Sequence, residues 1–218
     1  QNSQSFKERD MKDLIKKLSA RYKTVLVTGG AGAIGGNVLK FLARGKFKRI
    51  VVIDNLSSGR LENIPKDKKI SFIKGDIADP EAISKIFKNR IDLVFHLAAH
   101  FANQNSIEHP VADLISNGIG TINLLEASVK NKVKKFVYFS TSCIYKTKGQ
   151  RLMESDLDLQ FETPYAISKY IGEKYVSFYH RFHTLPTVIL RVFNSFGPGE
   201  WPGKYRNVIP NFFNRAIN

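Results

Sequence analysis

Thr28-Gly29-Gly30-Ala31-Gly32-Ala33-Ile34-Gly35 follows an apolar run, Val25-Leu26-Val27, and opens a helix-like segment from Asn37 to Arg44. Strand, glycine-rich turn and helix in that order make a phosphate cradle. The glycines allow a tight turn and a close backbone approach to a diphosphate. The helix N-terminus adds unpaired N–H groups and the positive end of its dipole. The spacing is Gly29, Gly32, Gly35, a GxxGxxG pattern rather than the commoner GxGxxG. Glycine clusters also make ordinary strand-helix turns, so the reading rests on what surrounds the turn.

Around it, apolar runs alternate with helix-period segments. Strands are expected over 24–28, 49–53, 70–73, 92–97, 135–140 and 187–192, with helices over 80–87, 111–130 and 164–182 between them. Strands apolar throughout belong to a parallel sheet covered on both faces, a doubly wound α/β domain of Rossmann type. Residues 1–22 carry Phe6, Met11, Leu14, Ile15 and Leu18 at helical spacing and read as an amphipathic helical extension to the domain of residues 23–218. Asp54 ends the second strand, 19 residues beyond Gly35. A carboxylate there accepts hydrogen bonds from ribose hydroxyls and repels a 2′-phosphate, which favours NAD over NADP. Arg60 nearby points the other way. Asp76 ends the third strand, where an adenine would sit or where an Asp would simply form a turn.

The chain has 218 residues, one sizeable core. Its apolar runs are too short to span a membrane, and no secretory h-region is visible. The single Cys143 rules out an internal disulfide framework and fits a reducing, cytoplasmic setting. Net charge is +15, which invites a nucleic-acid reading. The lysines are scattered and no zinc-finger or RNA-binding signature accompanies them, so a basic surface with an anionic small-molecule ligand is the expectation. No metal site is expected.

A second constellation carries chemistry. Thr163-Pro164 precedes Tyr165-Ala166-Ile167-Ser168-Lys169. Thr suits a helix cap and Pro the first helical position. Tyr165 and Lys169 share one helix face. An ammonium beside a phenol favours phenolate, so Lys169 is expected to lower the Tyr165 pKa toward that of a useful base. Such pairs also occur on solvated helices. Ser140-Thr141-Ser142 lies at the carboxyl end of the fifth strand, where parallel sheets place ligands.

Taken with His96-Leu97-Ala98-Ala99, Asn117-Gly118-Ile119-Gly120-Thr121, Ser140 to Tyr145 and Arg191-Val192-Phe193-Asn194, the chain resembles an extended short-chain dehydrogenase/reductase of the NAD-dependent epimerase/dehydratase family. The resemblance covers residues 24 to about 210. It implies bound NAD and a nucleotide-sugar substrate, here a UDP-sugar. Gly29, Gly32, Ala33, Ile34 and Gly35 would hold the diphosphate. Asp54, Asn55, Ser58 and Gly59 would hold the adenosine, and Asp76 with Ile77 the adenine. Leu97, Ala98 and Ala99 would line the cofactor, with Asn117 nearby. Thr141 and Tyr165 would act on the sugar, Thr141 as the catalytic hydroxyl and Tyr165 as the base. Lys169 would hold the ribose and tune Tyr165. Asn194, Asn207 and Val208 would touch the substrate.

The implied activity is that of a nucleotide-sugar 4-epimerase, an isomerase of carbohydrate metabolism that oxidises C4 transiently and returns the hydride to the other face. A UDP-glucuronate decarboxylase, a 4,6-dehydratase and a non-catalytic NAD-binding module are the alternatives. Family dehydratases place an Asp-Glu pair after the catalytic Thr, where this chain has Ser142 and Cys143. Lys146 replaces a usual Gly. The family's C-terminal substrate lobe would be largely absent from a chain of this length, so a fragment is expected. The resemblance also implies a homodimer and no membrane partner.

Overall fold

The computed structural model describes residues 8–145, 151–206 and 208–217. Helix α1 (Glu8–Arg21) leads into β1 (Thr24–Thr28), α2 (Ala33–Ala43), β2 (Arg49–Asp54), β3 (Ile70–Lys74), α3 (Pro80–Phe87) and β4 (Leu93–His96). Short helices α4 (Asn103–Glu108) and α5 (Pro110–Leu114) precede α6 (Gly120–Lys130), β5 (Lys135–Thr141), α7 (Pro164–His183), β6 (Thr187–Val192) and α8 (Val208–Ile217). The strands form one six-stranded sheet in the order β3-β2-β1-β4-β5-β6, and each neighbouring pair is parallel. Strand order reverses between β1 and β4. A crevice opens there beyond the carboxyl ends, the position at which such sheets bind ligands.

Two apolar layers sandwich the sheet. Leu26, Ile53, Ile86, Leu124 and Tyr138 belong to one, and Val25, Leu39, Leu42 and Ile50 to the other. Strands buried on both faces need apolar side chains at successive positions, and Ile50-Val51-Val52-Ile53 supplies them. Helix α1 buries Ile15 into the second layer.

The expected helix over 111–130 is interrupted. Residues Ile115–Ile119 form a wide π turn between α5 and α6, and such turns recur at functional sites. Helix α2 begins at Ala33, earlier than the helical pattern suggests, because the cradle glycines already belong to its first turn. Helix α4, with the polar sequence Asn-Gln-Asn-Ser-Ile-Glu, has no hydrophobic period to announce it. Tertiary contacts hold it, since Ser106 Oγ accepts a bond from the Tyr165 amide at 3.0 Å.

Candidate active site

The cradle is built as the spacing predicts. Gly29 has φ of +69°, and a Cβ there would lie 2.6 Å from the Ala98 amide nitrogen. A Cβ on Gly35 would overlap the Gly29 carbonyl oxygen. Gly32 caps α2 with no side-chain hydrogen bond, so the first amides of the helix keep their donors for an anion. Gly29→Ala is expected to cost about 2 kcal/mol or more, combining left-handed strain with a backbone clash. Urea unfolding of the purified variant measures it.

Asp54 ends β2 almost buried. Its Oδ2 accepts from the Ala31 amide at 2.9 Å and its Oδ1 from the Leu56 amide at 2.8 Å. The carboxylate therefore fixes the glycine turn, and each oxygen keeps a lone pair for a ribose hydroxyl. Asn55 donates to Asp76 Oδ2 at 2.9 Å, so the adenosine-side residues are tied together. The Arg60 guanidinium stacks on Trp201, 4.1 Å from the ring centre.

These groups line a cleft of about 1180 Å³, above the usual range for a single small ligand. Every sequence-predicted cofactor residue except Asn117 lines it, as do Thr141, Tyr165, Lys169 and Asn194. The segment after β6 folds back over the cradle. Asn37 and Asn63 donate to the carbonyls of Pro198 and Gly199 at 2.8 and 3.0 Å. Val208 does not reach the cleft: it opens α8 and is 60% exposed. Asn207 lies outside the described residues.

At the far end, Thr141 and Tyr165 line the same cleft, near enough for the hydroxyl to pull the phenol's pKa down, and Thr141 Oγ1 accepts from the Cys143 amide at 3.1 Å. The N-cap hydroxyl of Thr163 and Pro164 start α7 as expected, which aims Tyr165 at the end of β5. Lys169 is buried, its Nζ 4.3 Å from the Tyr138 ring centre. The expectation that Lys169 lowers the tyrosine is corrected here. Burial and the neighbouring Cys143 push Tyr165 up to about 12, against the opposing effect of the nearby Thr141 hydroxyl. Lys169 is itself pushed down to about 7 by desolvation, despite Asp113 and Glu173. A partly neutral amine cannot hold a phenol ionised, so desolvation outweighs charge.

A polar cluster that no sequence motif announces lies behind this end. Asn117 sits in the π turn, buried, and its amide is used within the protein. It accepts from the His100 amide at 2.8 Å and donates to Asp113 Oδ1 and Ser168 Oγ, each at 3.0 Å. It therefore positions the cleft wall instead of lining it. Ser168 also donates to Asp113, whose burial raises its pKa. His96 is held between Thr28 and Thr121 at 2.8 and 2.9 Å. The Ala98 amide donates to Thr28 and Thr121 donates to the Asn117 carbonyl. Thr28 must then donate to His96 Nδ1, and His96 Nε2–H to Thr121, which leaves one neutral tautomer. Burial, then the Lys169 charge, holds His96 well below its ordinary value. The hint in the sequence was ligand-type polar residues falling at apolar positions, His96 within a strand and Asp113 within a helix.

The model of the NAD dependent epimerase/dehydratase family matches residues 25–218. The chain belongs to this family. An epimerase structure from Methanothermobacter thermautotrophicus is similar at 44% identity and a TM-score of 0.90, over 98% of this chain and 62% of that one. A UDP-glucose 4-epimerase from Thermotoga maritima, solved with UDP-glucose, is 35% identical at a TM-score of 0.82, over 89% and 63% of the two chains. A dTDP-D-glucose 4,6-dehydratase of Dictyostelium discoideum is 35% identical over 89% of this chain and 48% of its own length. The chain thus spans roughly half to under two-thirds of these relatives. The family is NAD-dependent by its description. The cradle fits that cofactor on its own chemistry: uncapped helix amides, a glycine no side chain could replace, and Ser140 Oγ, buried on the cleft wall without a partner.

Proposed function

We propose that this protein is an NAD-dependent UDP-sugar 4-epimerase working by transient oxidation at C4. The observation that carries the reading is one site in which Thr141, Tyr165 and a buried Lys169 share a cleft with the glycine cradle. Gly29 to Gly35 would hold the diphosphate, Asp54 the adenosine ribose, and Lys169 the second ribose. When bound, NAD supplies a hydride acceptor that can return what it takes. In its phenolate form, the minor form at neutral pH without cofactor, Tyr165 Oη would take the sugar hydroxyl proton as the carbon is oxidised, and as the phenol it would give the proton back when the rotated keto-sugar is reduced. Thr141 holds that hydroxyl against the phenol. The wall of Asn117, Asp113 and Ser168 keeps α7 in register so that Tyr165 does not drift.

Dehydration is the second reading, because relatives of both kinds match. It needs an acid to protonate a leaving hydroxyl and a base for the neighbouring C–H. Ser142 and Cys143 stand beside Thr141 and supply neither. The carboxylates lining the cleft are Asp54, Asp76 and Glu200, of which the first two belong to the adenosine end. Incubating UDP-glucose, UDP-N-acetylglucosamine and UDP-glucuronate with protein and NAD, followed by proton NMR, tests the proposal. A C4 epimer is expected; products lacking water or carbon dioxide overturn it.

The protein is further proposed to act in the cytoplasm as a homodimer. Val111, Leu114, Ile115 and Ile119 form an exposed apolar stripe on α5 and the π turn, next to α7 with exposed Ile167 and Tyr175. Isologous pairing of this stripe buries it. Ile115→Glu is expected to give a monomer in analytical ultracentrifugation while the wild type sediments as a dimer. Among the described residues no helix is long and apolar enough to cross a membrane.

A further inference from the structure

The positive charge is not spread evenly. Because all six strands are parallel, their first residues share one edge of the sheet, and α1, α2, α3, α6 and α7 all end there. The segments joining helix ends to strand starts are dense in lysine and arginine. Lys46, Lys48, Lys68, Arg90, Lys132 and Lys134 are exposed on them. The carboxylates in these segments, Asp67 and Asp92, offset part of this charge, which leaves Lys46, Lys48, Lys68 and Lys132 outside the ion pairs they make. Asp67 pairs with Lys69 at 3.5 Å, and Asp92 with Lys134 at 3.1 Å and Arg90 at 3.5 Å. At the opposite edge, where the cleft opens, stand Asp54, Asp76, Asp79 and Glu81. That edge also carries Arg60, Lys74 and Arg206, so its charges are mixed, whereas the exposed charges of the amino-edge loops are mostly basic.

Helix ends explain only part of this. A C-terminal dipole favours one cation within its last turn. Lys46, Lys48, Lys132 and Lys134 lie beyond those turns, in the connecting loops.

We infer that this amino edge is a docking face for an anionic lipid surface, which leaves the cleft pointing into water. Six strands side by side span about 24 Å at ~4.8 Å per step, so the charges form a broad field. A plane of headgroups attracts such a field without intimate contact. A nucleic-acid groove asks for more. It takes an inserted helix or β-ribbon, and this edge presents only loops and helix ends. Tyr22, Phe47 and Phe87 near these loops are buried and offer no stacking platform. Phe182, in the last turn of α7, is 68% exposed at the same edge, where an aromatic ring suits the interface between headgroup and water. A protein attached this way exchanges a soluble substrate and product freely while it stays on the surface.

Co-sedimentation of the 218-residue chain with vesicles tests the inference. Binding to equimolar phosphatidylglycerol and phosphatidylcholine is expected at about 50 mM salt, falling steeply toward about 300 mM, with none to phosphatidylcholine alone. The triple variant K46E/K48E/K132E is expected to partition at least ~30-fold less. The charge-matched K74E/R151E/K174E, away from this edge, should change binding by less than ~3-fold. Circular dichroism checks both for folding, and K66E/K68E/K88E replaces the first set if it misfolds. No vesicle binding at low salt, or equal loss in both sets, overturns the docking face. Tighter binding to a random DNA duplex than to the vesicles overturns the lipid assignment in favour of nucleic acid.

Discussion

Tyr165→Phe is expected to lower kcat by about 10²- to 10⁴-fold, the range for removing a general acid–base group, with NAD affinity within a few-fold of wild type. The phenyl ring keeps the volume and the edge-on contact that Tyr165 makes with Phe101, at 6.5 Å between centres. The change deletes the oxygen that, in the proposal, carries the proton. Chromatographic or NMR assay of the UDP-sugar product gives the rate, and calorimetric titration with NAD gives the affinity. Full turnover in the Phe variant would falsify the mechanism. Loss of both turnover and NAD binding would instead mean that the substitution disturbed the cleft.

Lys169→Met separates a buried amine from a surface one through the pH dependence of stability. An unfolded lysine titrates near 10.4, and the folded Lys169 at about 7. Between these values the unfolded chain binds one proton more than the native one, so wild-type stability rises with pH. Its slope there approaches ~1.4 kcal/mol per pH unit. Below about pH 7 both states carry the proton and this contribution is flat. Tyr165 does not interfere: its raised value costs stability only above pH 10, where the unfolded phenol ionises first. His96, held neutral, affects only the range below about 6.5. Thermal melts of wild type between pH 7.5 and 9.5 should therefore climb, and those of Lys169→Met should not follow. Parallel curves would place Lys169 in water. The Met variant is also expected to bind NAD at least ~10-fold more weakly, since it has no ammonium donor for the ribose.

Much of the site was legible because its parts are local. The glycine turn must have no side chains at Gly29 and Gly35, and only sequence spacing is needed to see that. Thr163-Pro164 announces a helix start by cap chemistry, and Tyr165 and Lys169 share a face by helical geometry alone. Asp54 was legible as a strand-end carboxylate, although its second task of holding Ala31 was not. The cluster of Asn117, Asp113, Ser168 and His100 was not legible, because its members lie on four different segments, and which polar groups meet depends on packing. The Arg60–Trp201 stack was hidden for the same reason, its partners lying 141 positions apart in the chain.

What the sequence by itself determined is the alternation of strand and helix, the burial of both sheet faces, and the order of cradle, hydroxyl and tyrosine along the chain. Those follow from periodicity and turn chemistry, which act over a few residues. What only the tertiary structure decided is the ionisation of the centre. Lys169 is charged on paper, and its sequence neighbours leave it so. It loses part of that charge near pH 7 because Tyr138 from β5 and the wall behind α7 exclude water from its ammonium, and desolvation is a property of the whole packed site. The same holds for the basic edge. Its lysines are scattered along the chain, and they become one face only because every strand of the sheet runs the same way.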